Sequence, residues 1–346
     1  YKKMEKPGEN KMKAAVLTQY NKQGTNLEIR DVPAPIPKEN EVLVKIYSAA
    51  VNPLDNMIVR GEVKLIVPYK MPLILGNEFS GVVEKTGTSV TRFNVGDRVY
   101  GRMPLSKIGA FAEYAAIDEN ALAIVPDYLT HDEATTVPLT ALTAMQAFEI
   151  MNVKADESVF ISGGTGSLGA MAIPVAKSLG LRVYTNGSAD NEERVKALGA
   201  DRFIDYKKEN YADVLSNVDY VLDTLGDKEI PNEFKVLKEG GKLVSLRGLP
   251  NGRFAKRVGL SFFKQFLFKI AGSKYDKMAG LKNQTYDFIF VHEDGRQLEQ
   301  IGKLFNAENP LETSIDTVFT LEQVNEALEK VKQGRSKGKT VIKIAE

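Results

Sequence analysis

An apolar run, Val159-Phe160-Ile161, ends in Ser162-Gly163-Gly164-Thr165-Gly166-Ser167-Leu168-Gly169-Ala170, and a second apolar stretch at helical spacing follows at once over residues 168–179. A buried strand must turn sharply here where side chains are missing, and the helix after it begins with unpaired N–H groups at its first turn. Gly164, Gly166 and Gly169 have the spacing at which a backbone comes close to a pyrophosphate, and the dipole of the helix start favours that charge. Gly169 would let the helix lie close to the strand. Taken alone, such a triplet also suits a tight turn that binds nothing. The strand before it and the helix after it are what point to a nucleotide, through residues 163–169.

The surrounding rhythm supports that reading. From residue 132 the chain alternates: helical 132–150, strand 158–162, helix 168–179, strand 182–185, helix 191–198 and strand 202–204, with strand-like 220–223 and 242–245 beyond. Strands separated by helices imply parallel βαβ units, hence an α/β, Rossmann-type doubly wound parallel sheet. Residues 12–126 read differently, as short β-rich runs at 14–17, 41–51, 79–86, 98–100 and 110–116 broken by proline-rich 32–37 and the Gly96-Asp97 turn. These predict a β-barrel-like unit. After Gly248 come a basic aromatic stretch, strand 288–291, helix 295–305, strand 317–320, helix 321–333 and strand 340–344, the last of which could return to the first domain. The expected division is 1–11 as a tag or loose extension, 12–131, 132–275 and a returning 276–346.

Composition narrows the function. With 346 residues, 43% hydrophobic and 26% charged, the chain has the make-up of a globular protein long enough for two domains and a cleft. A formal charge of +1 gives no overall field toward nucleic acid or anionic membrane. There is no cysteine, which removes thiolate nucleophiles, cysteine-held zinc and iron–sulfur clusters, and the two histidines, His131 and His292, lie far apart. His131, next to an acidic helix start, is expected at the surface. His292 could sit at a strand end near a cleft. No apolar run approaches the roughly 20 residues that span a bilayer. The opening residues are polar and lysine-rich, so a cytoplasmic location is expected.

The second strand of the βαβ series selects the cofactor. An NAD site usually ends that strand with an acid that holds the ribose hydroxyls. Here it ends Tyr184-Thr185-Asn186-Gly187-Ser188. A hydroxyl and an amide suit a phosphate better, which favours NADPH, with Arg194, Lys207 and Lys208 as candidate cations and Asp190 and Glu192 opposing them.

Several segments, in order, resemble the medium-chain dehydrogenase/reductases: Asn52-Pro53-Leu54-Asp55; Pro72 to Val83, including Gly76-Asn77-Glu78; Phe93 to Tyr100; Gly109 to Tyr114; Pro138 to Ala144; Ala197 to Asp201; Asp219 to Gly226; and Ser336 to Lys339. The zinc alcohol dehydrogenases of that superfamily have His where this chain has Asn77, and cysteines that are missing here. The resemblance is therefore to the zinc-free quinone oxidoreductase and 2-alkenal (enone) reductase branch. It implies a GroES-like β-barrel domain completed by C-terminal strands, a Rossmann domain, substrate between them and a homodimer. By motif position it implies Thr143 near the nicotinamide, Gly166, Ser167, Leu168 and Gly169 under the pyrophosphate with Gly163, Gly164 and Thr165 also in the cofactor site, Ser188 and Tyr206 near the 2′-phosphate, Leu225 at the adenine ribose, and Phe290, Val291 and Lys339 toward the nicotinamide or phosphate. Asn52 and Asp55 would face the cleft. Plant enone reductases carry a lysine where this chain has Met57.

The implied reaction is hydride transfer to a quinone or α,β-unsaturated carbonyl, without zinc or other metal. Asn52, Tyr47 or a backbone N–H would steady the charge on the carbonyl oxygen, and solvent could supply the proton. Asn52-Pro53-Leu54-Asp55 equally suits a capped turn into a helix. Two alternatives remain: a reductase of another activated double bond such as an enoyl thioester, and an NADPH-binding regulatory or structural protein with little turnover. The stretch with Arg253, Lys256, Arg257, Lys264, Lys269, Lys274, Lys277 and Lys282 among Phe254, Phe262, Phe263, Phe266 and Phe268 fits a helix capping the cleft or a subunit contact. A membrane surface is the competing reading, disfavoured because one stretch and a small net charge anchor weakly. No nucleic acid and no stable membrane insertion are expected.

Overall fold

In the computed structural model, residues 10–334 and 336–346 are described. Most of the expected 1–11 extension lies outside the described residues, although β1 (Lys11–Leu17) already begins at Lys11. The chain divides into two compact units, one running to Leu142 and resuming at His292–Glu346, the other Thr143–Val291.

The first unit is built on β1, β2 (Glu28–Pro33), β3 (Glu41–Val51), helix α1 (Pro53–Val59), β4 (Leu73–Ile74), β5 (Glu78–Thr86), β6 (Arg98–Arg102), β7 (Tyr114–Asp118) and β8 (Leu122–Ile124). β2-β1-β4 form a small antiparallel sheet. β3 is the spine of a larger one, paired with β5 on one side and with β7 along its first half. The expected single helix 132–150 is two, α2 (His131–Ala134) and α3 (Pro138–Met151). Pro138 explains the break: it donates no N–H to a carbonyl one turn back and disfavours helical backbone at Val137.

The second unit carries β9 (Ser158–Ile161), α4 (Ser167–Ser178), β10 (Arg182–Gly187), α5 (Glu192–Ala197), β11 (Arg202–Asp205), α6 (Tyr211–Val214), β12 (Val218–Asp223), α7 (Ile230–Val236), β13 (Leu237–Ser245), α8 (Gly252–Arg257), α9 (Phe262–Ala271), α10 (Ser273–Gly280) and β14 (Thr285–Phe288). All its strand pairs are parallel, in the order β11-β10-β9-β12-β13-β14. This is the Rossmann order, with β9 at the switch point where nucleotides bind. β9 is buried along its whole length, as a parallel strand covered on both faces must be. Phe160 stacks on Tyr211 at 4.5 Å, within a core that includes Val221, Leu243 and Tyr286.

Residues 276–291, expected with the returning segment, lie in this second unit because β14 extends the parallel sheet beside β13. The strand expected at 288–291 is centred earlier, and Phe290 and Val291 follow its end. Then α11 (Gly295–Leu304), β15 (Ile315–Thr320), α12 (Val324–Gln333) and β16 (Lys339–Lys343) complete the first unit. β16 pairs antiparallel with β3, Thr340 opposite Val51.

Candidate active site

The glycine turn has two kinds of glycine. Gly163 has φ +68°, a left-handed backbone that favours glycine, and a Cβ on it would meet Thr224 Oγ1 at 2.7 Å. On Gly164 a Cβ would meet Thr185 Oγ1 at 2.0 Å, and on Gly169 the Gly164 Cα at 2.4 Å. These positions are small because the protein itself fills the space. Gly166 differs. It is exposed, its φ is −77°, and an added Cβ would meet only Gly163 O at an ordinary 3.5 Å. Nothing in the chain requires glycine there, whereas a pyrophosphate resting on the start of α4 does. The residues present therefore fit a dinucleotide.

The turn is braced from beneath. Gly163 N–H donates to Asn186 Oδ1 at 2.8 Å, so the amide at the end of β10 grips the turn. Ser162 Oγ accepts the Thr224 N–H at 3.0 Å. Asp223, buried at the end of β12, accepts the N–H groups of Leu225 and Gly226, each at 2.8 Å, and the Ser245 hydroxyl at 2.5 Å. This sets Leu225 beside Gly163. Beneath it Glu233 is buried, and burial together with the Asp223 charge raises its carboxyl well above the ordinary range. Neither supporting role is legible in the sequence, where Asp223 and Glu233 each read as one more acid at a strand or helix end.

At the tip of β10, Ser188 is half-buried and its hydroxyl accepts the Asn191 amide at 3.1 Å. Tyr206 is exposed, and its N–H donates to Gly187 O. Arg194, on α5, reaches back to Thr165 O at 3.4 Å, which brings a guanidinium to the turn. Lys208 lies 3.8 Å from Asp205. Thr143 is buried in α3 and Val291 is buried, while Phe290 is half-buried.

The first unit holds a buried polar network where β3 ends. Asn52 caps α1, and its N–H donates to Asp55 Oδ2 at 2.7 Å. Asn77 Nδ2 donates to Asp55 Oδ1 at 2.7 Å. Asn52 Nδ2 donates to Glu78 Oε1 at 2.7 Å, and Lys339 Nζ donates to Asn52 Oδ1 and to Glu78 Oε1, each at 2.6 Å. Glu78 Oε2 accepts the Leu139 N–H at the start of α3. Pairing explains the convergence: Glu78 stands opposite Ala50, and β16 begins beside Val51. Burial pushes the Asp55 carboxyl up to about 7 against the pull of its two N–H donors; Glu78 adds to the rise and Lys339 opposes it. Asn52 and Asp55, expected to face a cleft, are thus almost wholly buried, with Asn52 using both side-chain polar atoms on its neighbours.

Tyr47 is half-buried and stacks on His131 at 4.6 Å between ring centroids. His131, expected at the surface, bonds Ser80 Oγ through Nδ1 at 2.7 Å. Burial, helped by Arg98, lowers its pKa to about 4 against the pull of Asp132. His292 is exposed. Arg102, the last residue of β6, is fully buried, and among the described residues its Nε and Nη2 have no partner.

Two family models match: an alcohol dehydrogenase GroES-like domain over residues 38–127 and a zinc-binding dehydrogenase over residues 198–342. The chain is 30% identical to NAD(P)H oxidoreductase RTN4IP1, mitochondrial, of Dictyostelium discoideum, across 96% of this chain and 99% of the relative. It is 35% identical to 2-methylene-furan-3-one reductase of Solanum lycopersicum, across 69% of this chain and 63% of the relative. The quinone oxidoreductase from Coxiella burnetii matches with a TM-score of 0.81 at 28% identity, over 96% of this chain and 99% of that one. The chain belongs to the medium-chain dehydrogenase/reductase superfamily, among the NAD(P)H-dependent quinone and alkenal oxidoreductases. Among the described residues no group of three or more His, Cys, Asp or Glu is placed to hold a metal ion.

Proposed function

We propose that this protein reduces quinones or α,β-unsaturated carbonyl compounds with NADPH and without a metal. The observation that carries the reading is Gly166, a glycine that the fold does not need, at the start of a helix and at the switch point of a parallel sheet. In this reading residues 163–169 and Leu225 hold the dinucleotide, with Thr143 near the nicotinamide and Phe290, Val291 and Lys339 toward the nicotinamide or phosphate. When bound, the reduced nicotinamide supplies a hydride for the electrophilic carbon of a conjugated carbonyl.

The chain's own residues supply position and electrostatics. Ser188, Tyr206 and Arg194 favour a 2′-phosphate, since β10 ends without a carboxylate to hold free ribose hydroxyls. Asn52 and Asp55 act as positioning residues, because their polar atoms are engaged within the network. The Tyr47 hydroxyl is left as the side-chain donor for the carbonyl oxygen, with solvent as the proton source. The relatives named as quinone and alkenal reductases support the acceptor class.

Steady-state rates with a quinone, a 2-alkenal and a crotonyl thioester, each with NADPH and NADH, test the reading. Turnover of the first two with NADPH is expected. Equal rates with NADH would overturn the cofactor assignment, and the thioester as sole acceptor would overturn the substrate class. A homodimer and a cytoplasmic location complete the proposal; native mass and cell fractionation check them, with the mitochondrion named by several relatives as the competing compartment.

A further inference from the structure

The basic aromatic segment, unused by the proposed reaction, forms α8, α9 and α10. One ring ties α9 down: Phe268 is buried and meets Phe254 edge-on at 6.1 Å, and Phe254 meets Phe288 edge-on at 5.1 Å. Four other large apolar side chains of α9 face the opposite way. Phe262 is 90% exposed, Phe263 71%, Phe266 60% and Ile270 57%. At 3.6 residues per turn they fall within about 100° of arc, on the side away from Phe268. A contiguous apolar face of this kind marks an interaction surface.

The charges around it select the partner. Arg253 and Arg257 lie against Asp287, and Lys274 against Asp227. Lys269 on α9, Lys256 on α8 and Lys277 on α10 are exposed and make no ion pair among the described residues. Asp276 is the only acid between Arg253 and Lys282. A second copy docked face to face would set these lysines against their own kind. An anionic lipid surface answers both features, its headgroups meeting the lysines while the rings enter the acyl boundary.

We propose that α9, with the exposed lysines Lys256, Lys269 and Lys277 near it, is a reversible docking face for an anionic membrane. The small net charge that argued against a membrane is an average over the chain, whereas this cluster is local and its rings are bare. No helix among the described residues is long and apolar enough to cross a bilayer, so the association is peripheral.

Co-sedimentation of the full chain with vesicles of phosphatidylcholine, alone or with about a quarter phosphatidylglycerol, tests this. Binding is expected only to the anionic vesicles, lost at high salt. It should weaken at least about tenfold in Phe262→Ser/Phe266→Ser and, separately, in Lys256→Glu/Lys269→Glu. NADPH oxidation without vesicles should be unchanged in both variants, which shows that they fold. No binding to either vesicle, equal binding to both, or undiminished binding by either double variant would overturn the proposal. So would a lower native mass of Phe262→Ser/Phe266→Ser without lipid, which would make a second copy the occupant.

Discussion

Gly166 and Gly169 stand one helical turn apart, yet their substitution should separate binding from folding. A side chain at 169 runs into backbone that has nowhere to move, so Gly169→Val should cost about 1–3 kcal/mol or more, visible as a lower Tm. Gly166→Val should leave Tm nearly unchanged and weaken NADPH binding at least about tenfold, read by fluorescence titration. Unchanged affinity would remove the pyrophosphate from this turn. Arg194→Ala should raise KM for NADPH by about tenfold and leave that for NADH alone; a parallel rise in both would assign Arg194 to the fold. His131 titrates against the fold in acid. Its pKa is near 4 when folded and near 6.5 when unfolded. The unfolded chain therefore binds the extra proton, and this group's contribution is lost as pH falls from about 6.5 toward 4. Denaturant midpoints across that range should fall less steeply in His131→Phe.

At the level of elements, α1 and β16 depend on each other through the buried network. Lys339 and Glu78 are both buried, so Lys339→Met strands the Glu78 carboxylate without its cation, at a cost of about 3–5 kcal/mol. A Tm within a degree or two of wild type would show that the pair contributes little. Asp55 has the opposite sign from His131. Its folded pKa of about 7 lies above the unfolded value, so the folded chain holds more protons and stability falls as pH rises through roughly 4 to 7. Asp55→Asn should flatten that slope. Asn-Pro-x-Asp was legible as a cap leading into a helix because capping is settled within four residues. Its attachment to Lys339 was not legible, for that contact spans a sequence separation of 287.

For the whole molecule, the last segment belongs to the first unit, since β16 pairs along β3 and supplies Lys339. A chain cut after Val291 should lose cooperative unfolding of that unit, followed by far-UV circular dichroism; a wild-type transition for it would show that the returning strands are dispensable. The parallel sheet, its glycine turn and most of its strands follow from residue pattern, because hydrophobic period, turn chemistry and helix starts are encoded by near neighbours. Fold class and nucleotide chemistry were therefore readable before any contact was known. Burial was not. That Asn52 spends its amide on Lys339 and Glu78, that His131 lies under Tyr47, that α3 begins afresh beside Glu78, and that Phe262, Phe263 and Phe266 of α9 face outward while Phe268 is buried all depend on which distant strand or helix arrives alongside. Such arrivals are decided by packing over the whole chain.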